Sequence, residues 1–235
     1  GAGRRTALDV AEEADFLGAR LSTSASYDGA AVGLHVPKRQ LGPALDLMAD
    51  VVLRPAFADS EITRQRDLRR TQILQQRDQP VAMAGLAFPA IVFGAQHPYG
   101  RAIGGTEAST ASLNRDRVNQ FYQAHYRPGG AKLLIVGDIT LAEAQQLVSE
   151  RFGVWERGAP PPAAPATTAA SPAARTFYLV DKPGAAQSVI RIGNVGVARS
   201  TADYFPLQVL NTILGGSFTS RLNQNLRETH GYTYG

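Results

Sequence analysis

Residues 203–235 of the chain read DYFPLQVLNTILGGSFTSRLNQNLRETHGYTYG. The Asn-, Gln- and Leu-rich part of this stretch predicts a helix that ends near Gly231, because glycine is common just after the last turn of a helix. The YTY segment that follows has the aromatic and β-branched composition of a strand. A helix, a turn and a strand in this order can direct the Arg227 guanidinium and the Tyr234 hydroxyl toward one point.

Arg227 and Tyr234 have two interpretations on spacing alone. A guanidinium is a planar fork that holds a peptide carbonyl or a carboxylate, and a phenol can donate to an oxyanion that develops during acyl transfer. Alternatively, Arg227 caps a carbonyl group and Tyr234 is an ordinary strand aromatic. Evidence from the rest of the chain has to decide between the two.

Short motifs upstream of residue 203 occur in a definite order. They are LGA at 17–19 before a Ser/Thr-rich strand, LRPAF at 53–57, DQP at 78–80, HPYG at 97–100, YRP at 126–128 and VGD at 136–138. Together with residues 203–234, they resemble the insulinase/pitrilysin family of zinc peptidases, which includes the mitochondrial processing peptidases. The resemblance covers nearly the whole chain except a Pro/Ala-rich stretch, and it places residues 203–234 in the C-terminal homologous domain of that family.

The periodic segments predict an α+β layering, and the resemblance implies two homologous layered domains, each an open, mostly antiparallel sheet with helices on one face. We place an N-terminal peptidase-like domain at 1–158 with its start missing, a Pro/Ala linker at 159–175, and the beginning of a truncated second domain at 176–235. Predicted helices cover 6–17, 41–53, 59–77, 80–93, 114–125, 141–152 and 202–214, and predicted strands cover 21–27, 30–36, 132–136, 177–180 and 188–192. Thr6 is predicted to cap the first helix, and Asp28-Gly29 is predicted to form a tight hairpin turn. Pro89 is expected to kink or split its helix.

Composition excludes several classes of protein. The chain has 235 residues, a formal net charge of +4 and no cysteine. Without cysteine there is no disulfide, no thiolate zinc site and no Cys nucleophile. Basic and acidic residues are interspersed, so we expect no nucleic-acid partner, and no apolar run is long enough for a membrane span. Both ends look cut, and we expect the chain to be a piece of a longer polypeptide.

A hydrolytic zinc site needs three protein ligands, and the resemblance implies His-x-x-Glu-His on one helix with a distal Glu on another. The four histidines are His35, His97, His125 and His230, and no two lie within one helical turn. The distal ligand position corresponds to Gln72, and no Glu occurs between Glu61 and Glu107. We therefore expect no metal ligand and no cofactor in this chain. His35 is interpreted as a sheet histidine, His97 as a residue that holds a turn, and His125 as the end of a helix. Only His230 lies close to Arg227 and Tyr234 in the sequence.

The family resemblance includes split enzymes in which one subunit holds zinc and its partner supplies the Arg/Tyr pair. The leading hypothesis is a non-catalytic subunit that binds a peptide substrate with Arg221, Arg227 and Tyr234. Arg227 and Tyr234 would then act in trans on a reaction at the zinc of a homologous partner.

Two alternatives remain open. One is a self-sufficient zinc endopeptidase whose His-x-x-Glu-His motif precedes Gly1. The other is a structural subunit resembling the respiratory-complex core proteins of the same family, with no catalytic part. The location implied by the family resemblance and the cysteine-free composition favour the periplasm, and the cytoplasm is the alternative compartment.

Overall fold

The computed structural model describes residues 1–155 and 174–235. Within these residues the chain forms two compact units, Gly1–Ile192 and Gly193–Gly235, each of which is described by itself. The predicted linker at 159–175 lies outside the described residues except for its last two positions. The domain boundaries drawn from the sequence remain predictions.

Seven helices and one hairpin build the described part of the first unit. The helices are α1 (Ala7–Phe16), α2 (Leu41–Leu53), α3 (Asp59–Gln76), α4 (Pro80–Phe93), α5 (Glu107–Ala111), α6 (Arg115–His125) and α7 (Leu141–Phe152), and the strands are β1 (Arg20–Ala25) and β2 (Ala30–His35). Six of these helices and both strands agree with the predicted ranges to within about two residues, the usual uncertainty of helix ends. The short helix α5 was not predicted.

Helix α2 carries the core of the first unit. Its face toward the protein is apolar, and Leu47 is fully buried. Leu45, Met48 and Val52 form a buried cluster on α2. Side chains from the hairpin, from α2 itself and from α7 pack against this cluster: Leu21, Val32, Leu34, Leu41, Leu53, Leu147 and Phe152, with Trp155 just after α7. Helix α2 is therefore enclosed by the hairpin and by α7.

The hairpin has a simple antiparallel register in which Arg20 pairs with His35 and Ala25 pairs with Ala30. The Ser26 backbone N–H donates to the Gly29 carbonyl at 2.8 Å and closes the turn. The tight turn predicted at 28–29 is thus confirmed.

A buried carboxylate ties the amino-terminal segment to α2. The Asp50 side chain is 10% exposed and accepts hydrogen bonds from the guanidinium groups of Arg5 and Arg54. Arg5 also donates to Glu13 on α1, with Nε 2.5 Å from the carboxylate. The Gly3 N–H donates to the Arg54 carbonyl at 2.7 Å. Because a buried carboxylate without a partner is costly, this network holds the first residues of the chain in one place.

Two expectations about the helices have clear outcomes. Thr6 was predicted to cap α1, and its side chain accepts from the Asp9 N–H while the Asp9 carboxylate accepts from the Thr6 N–H. This capping box also lowers the pKa of Asp9, because the Thr6 N–H stabilises the ionised carboxylate. Pro89 was expected to kink or split its helix, and it does not split the helix, since α4 continues through Pro89. The carbonyl that would meet the proline ring belongs to Gly85, whose backbone can tilt more freely than that of other residues.

The α+β class is confirmed, but the sheet is smaller than predicted. Among the described residues, β1 and β2 form the only ladder. The predicted strands at 132–136, 177–180 and 188–192 have no ladder partner in the described part of the chain. Val136, Phe177 and Leu179 are almost fully exposed. These segments have strand composition, but a β-strand forms only where a neighbouring strand pairs with its backbone N–H and C=O groups.

The second unit contains helical segments that follow one another closely. They are α8 (Tyr204–Asn211), a π-helical segment (Thr212–Gly216), α9 (Arg221–Asn223) and a second π-helical segment (Gln224–Thr229). The helix predicted at 202–214 corresponds to α8 and the first π-helical segment. No helix within residues 1–155 and 174–235 combines the length and the hydropathy that crossing a bilayer requires.

Replacement of Gly3 by alanine should destabilise the first unit. Gly3 has a φ of +59°, and a Cβ there would lie 2.8 Å from the Asp50 carboxylate. We expect Gly3→Ala to lower the free energy of unfolding by about 1–3 kcal/mol, from left-handed strain and displacement of Asp50. Urea denaturation of the full-length protein measures this change.

Gly29→Ala is the matched control for this change. A Cβ at Gly29 meets no atom within 4 Å, and its φ lies outside the left-handed region. Equal unfolding midpoints for Gly3→Ala and the wild type would contradict the role assigned to the Asp50 network.

Candidate functional site

The turn between the two π-helical segments is held by a small buried polar cluster. Ser220 is 2% exposed, and its hydroxyl caps α9 by accepting from the Asn223 N–H. The Asn223 side chain donates to the Ser217 carbonyl at 3.0 Å. A Cβ at Gly215 would lie 3.1 Å from a methyl of Leu222, so glycine allows the two helical segments to approach closely. These contacts fix the start of the segment that carries Arg227.

The backbone hydrogen bonds of the segment Gln224–Thr229 span one residue more than those of an α-helix. The His230 N–H donates to the Asn225 carbonyl, five residues earlier, at 3.1 Å. Gly231 has a φ of +64°, so the predicted helix end near this glycine is confirmed. π-Helical turns are rare and occur frequently at functional sites. The sequence analysis did not predict them, because they have no simple periodicity or composition.

Three groups surround the Arg227 guanidinium. Its Nη1 donates to the backbone carbonyl of Tyr234 at 3.2 Å. Its central carbon lies 4.4 Å from the ring centroid of Phe218, which is a cation–π distance. Its Nε lies 3.3 Å from the carboxylate of Glu228. The Arg227 side chain is 35% exposed, so it reaches solvent while these contacts hold it.

The structure brings Arg227 and Tyr234 together through the main chain. Tyr234 is 86% exposed. Within the described residues, its hydroxyl makes no hydrogen bond, and Arg227 contacts its carbonyl oxygen instead. Both capping of a carbonyl by Arg227 and exposure of the Tyr234 phenol are therefore present. The contact agrees with the capping interpretation of Arg227, whereas the strand expected at 232–234 does not form among the described residues. A role of Arg227 and Tyr234 in a reaction remains a prediction.

The other two predicted residues of this region lie apart from the Arg227 contacts. Arg221 is exposed on α9 and makes no ion pair or hydrogen bond through its side chain in the part of the chain that the structure describes. The His230 ring stacks on Tyr232, with centroids 5.1 Å apart and planes inclined by 8°. His230 therefore contacts the residue two positions before Tyr234. Phe218 is the contact that the sequence analysis missed, because its distance from Arg227 along the chain corresponds to no regular helical spacing.

Gln72 lies exposed on α3 beside a guanidinium. Its carboxamide oxygen accepts from Arg69 Nη1 at 3.3 Å. Arg69 Nε donates to the Gly104 carbonyl at 3.0 Å. A Cβ at Gly104 would lie 1.4 Å from Arg69 Nη2, so a residue with a side chain cannot replace this glycine without moving Arg69. The position predicted for a zinc ligand is therefore neutral and has a fixed cation beside it.

These residues do not fit a zinc site. Zinc requires carboxylate, imidazole or thiolate ligands, and a neighbouring guanidinium opposes the binding of a divalent cation. In residues 1–155 and 174–235, no group of three or more His, Cys, Asp or Glu side chains could hold a metal ion. Glu107, the glutamate nearest to Gln72 on the C-terminal side in sequence, pairs with Arg77 at 2.9 Å.

Two histidines have the structural surroundings expected from the sequence. The Nδ1 atom of His97 accepts from the Tyr99 N–H at 3.0 Å and caps a short helical turn, so its predicted turn-holding role is confirmed. His125 is in the last turn of α6, as predicted, and its ring lies 4.5 Å from that of Phe121. His35 is exposed in β2, opposite Arg20.

Comparison with known protein families gives two matches. Residues 1–107 match the family model described as insulinase (peptidase family M16), and residues 112–235 match the model described as the peptidase M16 inactive domain. The chain belongs to the peptidase M16 family. The resemblance to insulinase and pitrilysin is therefore confirmed.

Curated M16 relatives of this chain carry the name of zinc proteases. An uncharacterized zinc protease of Mycobacterium leprae is 32% identical over 98% of this chain and 52% of its own length. The uncharacterized zinc protease YmxG of Bacillus subtilis is 27% identical over 100% of this chain and 56% of its own length. The chain spans about half the length of the curated relatives that it matches.

Solved M16 structures share the fold. A crystal structure of a peptidase M16 inactive domain from Pseudomonas fluorescens superposes with a TM-score of 0.84 and 25% identity, covering 100% of this chain and 57% of that chain. A protease from Helicobacter pylori superposes with a TM-score of 0.79 at 18% identity, covering 98% of this chain and 56% of that chain, which supports the fold alone.

A Gln72→Glu substitution should create an ion pair instead of a metal site. The new carboxylate would face Arg69 three residues earlier on α3, a pair that stabilises a helix by about 0.2–0.5 kcal/mol. We expect a slightly higher unfolding midpoint and no zinc retained by the full-length variant after incubation with zinc and dialysis, as measured by elemental analysis.

Gln75→Glu on the same helix is the matched control, because the Gln75 side chain makes no hydrogen bond among the described residues. Retention of one zinc ion per chain by Gln72→Glu, and not by Gln75→Glu, would contradict the interpretation of Arg69 as an opposing cation.

Proposed function

We propose that this chain is a peptidase-like subunit of a zinc metalloendopeptidase and that it supplies Arg227 and Tyr234 to a homologous, zinc-bearing partner. The observation that carries the proposal is the 3.2 Å contact between Arg227 Nη1 and the Tyr234 carbonyl. This contact holds the main chain of Tyr234, whose phenol is exposed, against the Arg227 guanidinium. Two hydrogen-bond donors of different chemistry are thereby available to one bound peptide.

Each side chain has a distinct part in the proposed reaction. Arg227 holds a carbonyl or carboxylate oxygen of the peptide, since its Nη2 donors have no partner among the described residues. Tyr234 donates a hydrogen bond from its hydroxyl to the oxyanion that develops on the reacting carbonyl. Arg221 adds an exposed positive charge on the adjacent helix and attracts acidic groups of the substrate. Zinc in the partner would polarise the peptide carbonyl and activate water.

The contact between Arg69 and Gln72 on α3 supports a site in which the partner holds zinc and this chain supplies hydrogen-bond donors. Arg69 and Gln72 disfavour a metal here, whereas curated relatives are named zinc proteases. Preorganised donors act on the reacting carbonyl from any chain that reaches it, because their effect depends on distance and orientation. The description of residues 112–235 as an M16 inactive domain agrees with a supporting role.

Two other functions have specific support. The name zinc protease among relatives favours a self-sufficient endopeptidase, because this chain spans about half of their length. The inactive-domain description favours a structural subunit without catalytic residues. Elemental analysis and peptide cleavage by the full-length protein, alone and mixed with a zinc-bearing homologue, separate these cases. A periplasmic location remains a prediction that cell fractionation tests.

Tyr234→Phe should lower turnover of the assembled complex by about tenfold to a thousandfold, the effect of removing one oxyanion donor. The unfolding midpoint should stay unchanged, because the Tyr234 hydroxyl is exposed. Cleavage of an internally quenched, unstructured peptide measures the turnover number.

Tyr232→Phe is the matched control, since Tyr232 also lies after Gly231 and contacts His230 instead of Arg227. Turnover of Tyr234→Phe equal to that of the wild type would show that the phenol has no role in the reaction.

Zinc content should distinguish this chain from its zinc-bearing partner. We expect the isolated full-length protein to contain no zinc and to cleave no peptide, and a mixture with the zinc-bearing homologue to cleave it. Stoichiometric zinc in the isolated protein, together with cleavage in the absence of any partner, would replace this proposal by the self-sufficient endopeptidase.

A further inference from the structure

We propose that Phe218 is a positioning residue that holds the Arg227 guanidinium in its substrate-binding orientation. This inference rests on the proposed function, because it concerns how Arg227 is presented to a peptide. No sequence motif led to it, and it follows from contacts within the second unit.

The guanidinium is restricted on one face and at two of its nitrogen atoms. Phe218 lies against the face, with 4.4 Å between its ring centroid and the central carbon of Arg227. The Tyr234 carbonyl accepts from Nη1, and the Glu228 carboxylate lies 3.3 Å from Nε. The donors of Nη2 have no partner in the described part of the chain. Arg227 therefore presents Nη2 in a defined direction to an incoming oxygen atom.

Phe218 combines an exposed position with a contact to a cation. Phe218 is 62% exposed. Its ring nevertheless covers the guanidinium, and an aromatic face attracts a cation through its quadrupole, which an aliphatic side chain of similar size cannot do. The ring thus has an electrostatic function that leucine at this position would not replace.

The peptide chemistry that this arrangement favours is a single carbonyl or carboxylate oxygen. A free guanidinium would bind a carboxylate through two parallel hydrogen bonds. Here one N–H group of Nη1 donates to the Tyr234 carbonyl and Nε lies beside the Glu228 carboxylate, so Nη2 is the nitrogen whose two N–H groups both remain for substrate. An extended peptide backbone, which presents one carbonyl at a time, suits this geometry.

Phe218→Leu tests the inference in the assembled full-length complex. Leucine keeps an apolar side chain but removes the aromatic face. We expect KM for an internally quenched, unstructured peptide to rise about two- to tenfold, the range that corresponds to loss of one cation–π contact. The turnover number should change less than KM, because Arg227 binds the substrate and the transition state with similar strength.

Rescue and control variants separate this role from simple packing. Phe218→Trp should restore KM, since Trp gives the strongest cation–π contact. Phe205→Leu is the matched control, because Phe205 is also an exposed aromatic residue of the second unit and its ring contacts Tyr204. We expect KM of this control to equal that of the wild type.

A spectroscopic measurement on the full-length chain alone reports the contact without enzyme activity. The Nε–H resonance of Arg227, assigned by its loss in Arg227→Lys, should lie upfield because of the Phe218 ring current. It should move downfield in Phe218→Leu and stay in place in Phe205→Leu. An unmoved resonance in Phe218→Leu would overturn the inference.

The outcomes distinguish this inference from the proposed function. If Arg227→Lys leaves both KM and turnover unchanged, then the proposed function fails, whatever Phe218 does. If Arg227→Lys raises KM but Phe218→Leu matches the wild type, then only the positioning role of Phe218 fails. A rise in KM for Phe218→Leu that Phe218→Trp does not reverse would assign packing, not positioning, to Phe218.

Discussion

The buried carboxylate of Asp50 is the constraint on which the first unit depends. It lies on the helix that carries the core and accepts from two guanidinium groups, one near the start of the chain and one at the end of α2. Removal of one partner from a buried ion pair costs about 3–5 kcal/mol, because the remaining charge cannot return to water. Charge pairing at Asp50 therefore fixes the segment that precedes α1 and the turn after Arg54. It also fixes the position of α1, because Arg5 pairs with Glu13 on that helix.

A second electrostatic arrangement governs the face of α3. The Gln72 carboxamide and the Arg69 guanidinium lie together at the position where the family resemblance predicted a metal-ligating carboxylate. Arg69 is anchored by the Gly104 carbonyl as well as by Gln72, so its charge is held in place and does not swing freely in solvent. A helix with this surface favours interaction with acidic groups over cation binding. The chain thus has the fold of the peptidase M16 family, with a neutral amide and a cation side by side on α3.

The second unit concentrates its polar contacts on one short helical segment. Ser220 and Asn223 fix the start of this segment, Gly231 ends it, and the π-helical turn between them sets the direction of Arg227. The guanidinium then joins three elements of the local structure, namely the Phe218 ring, the Glu228 carboxylate and the Tyr234 main chain. A donor held in this way loses little conformational freedom when a ligand binds, which is the physical basis of preorganisation.

Local chemistry made much of the fold predictable from the sequence. Thr6, the Asp28-Gly29 turn, the Leu41–Leu53 periodicity and Gly231 act over a few residues, so the helices, the hairpin and the helix end could be located. The strands at 132–136, 177–180 and 188–192 could not be settled in this way, because a strand depends on partners that are distant in sequence. The family resemblance singled out Gln72, and its three-residue spacing from Arg69 on a predicted helix places the two side chains on one face. The anchoring of Arg69 by the Gly104 carbonyl, 35 residues away in sequence, could not be predicted in this way.

The same distinction applies to the site. The sequence by itself determined which chemical groups are present: a guanidinium, a phenol, four scattered histidines, no cysteine and no carboxylate at position 72. Only the tertiary structure decided that Arg227 contacts the carbonyl and not the hydroxyl of Tyr234, that Phe218 covers its face, and that Asp50 is buried between two arginines. Residue identity specifies charge and hydrogen-bonding capacity, whereas distance, burial and orientation arise only when segments far apart in sequence, or bent by a π-helical turn, come into contact.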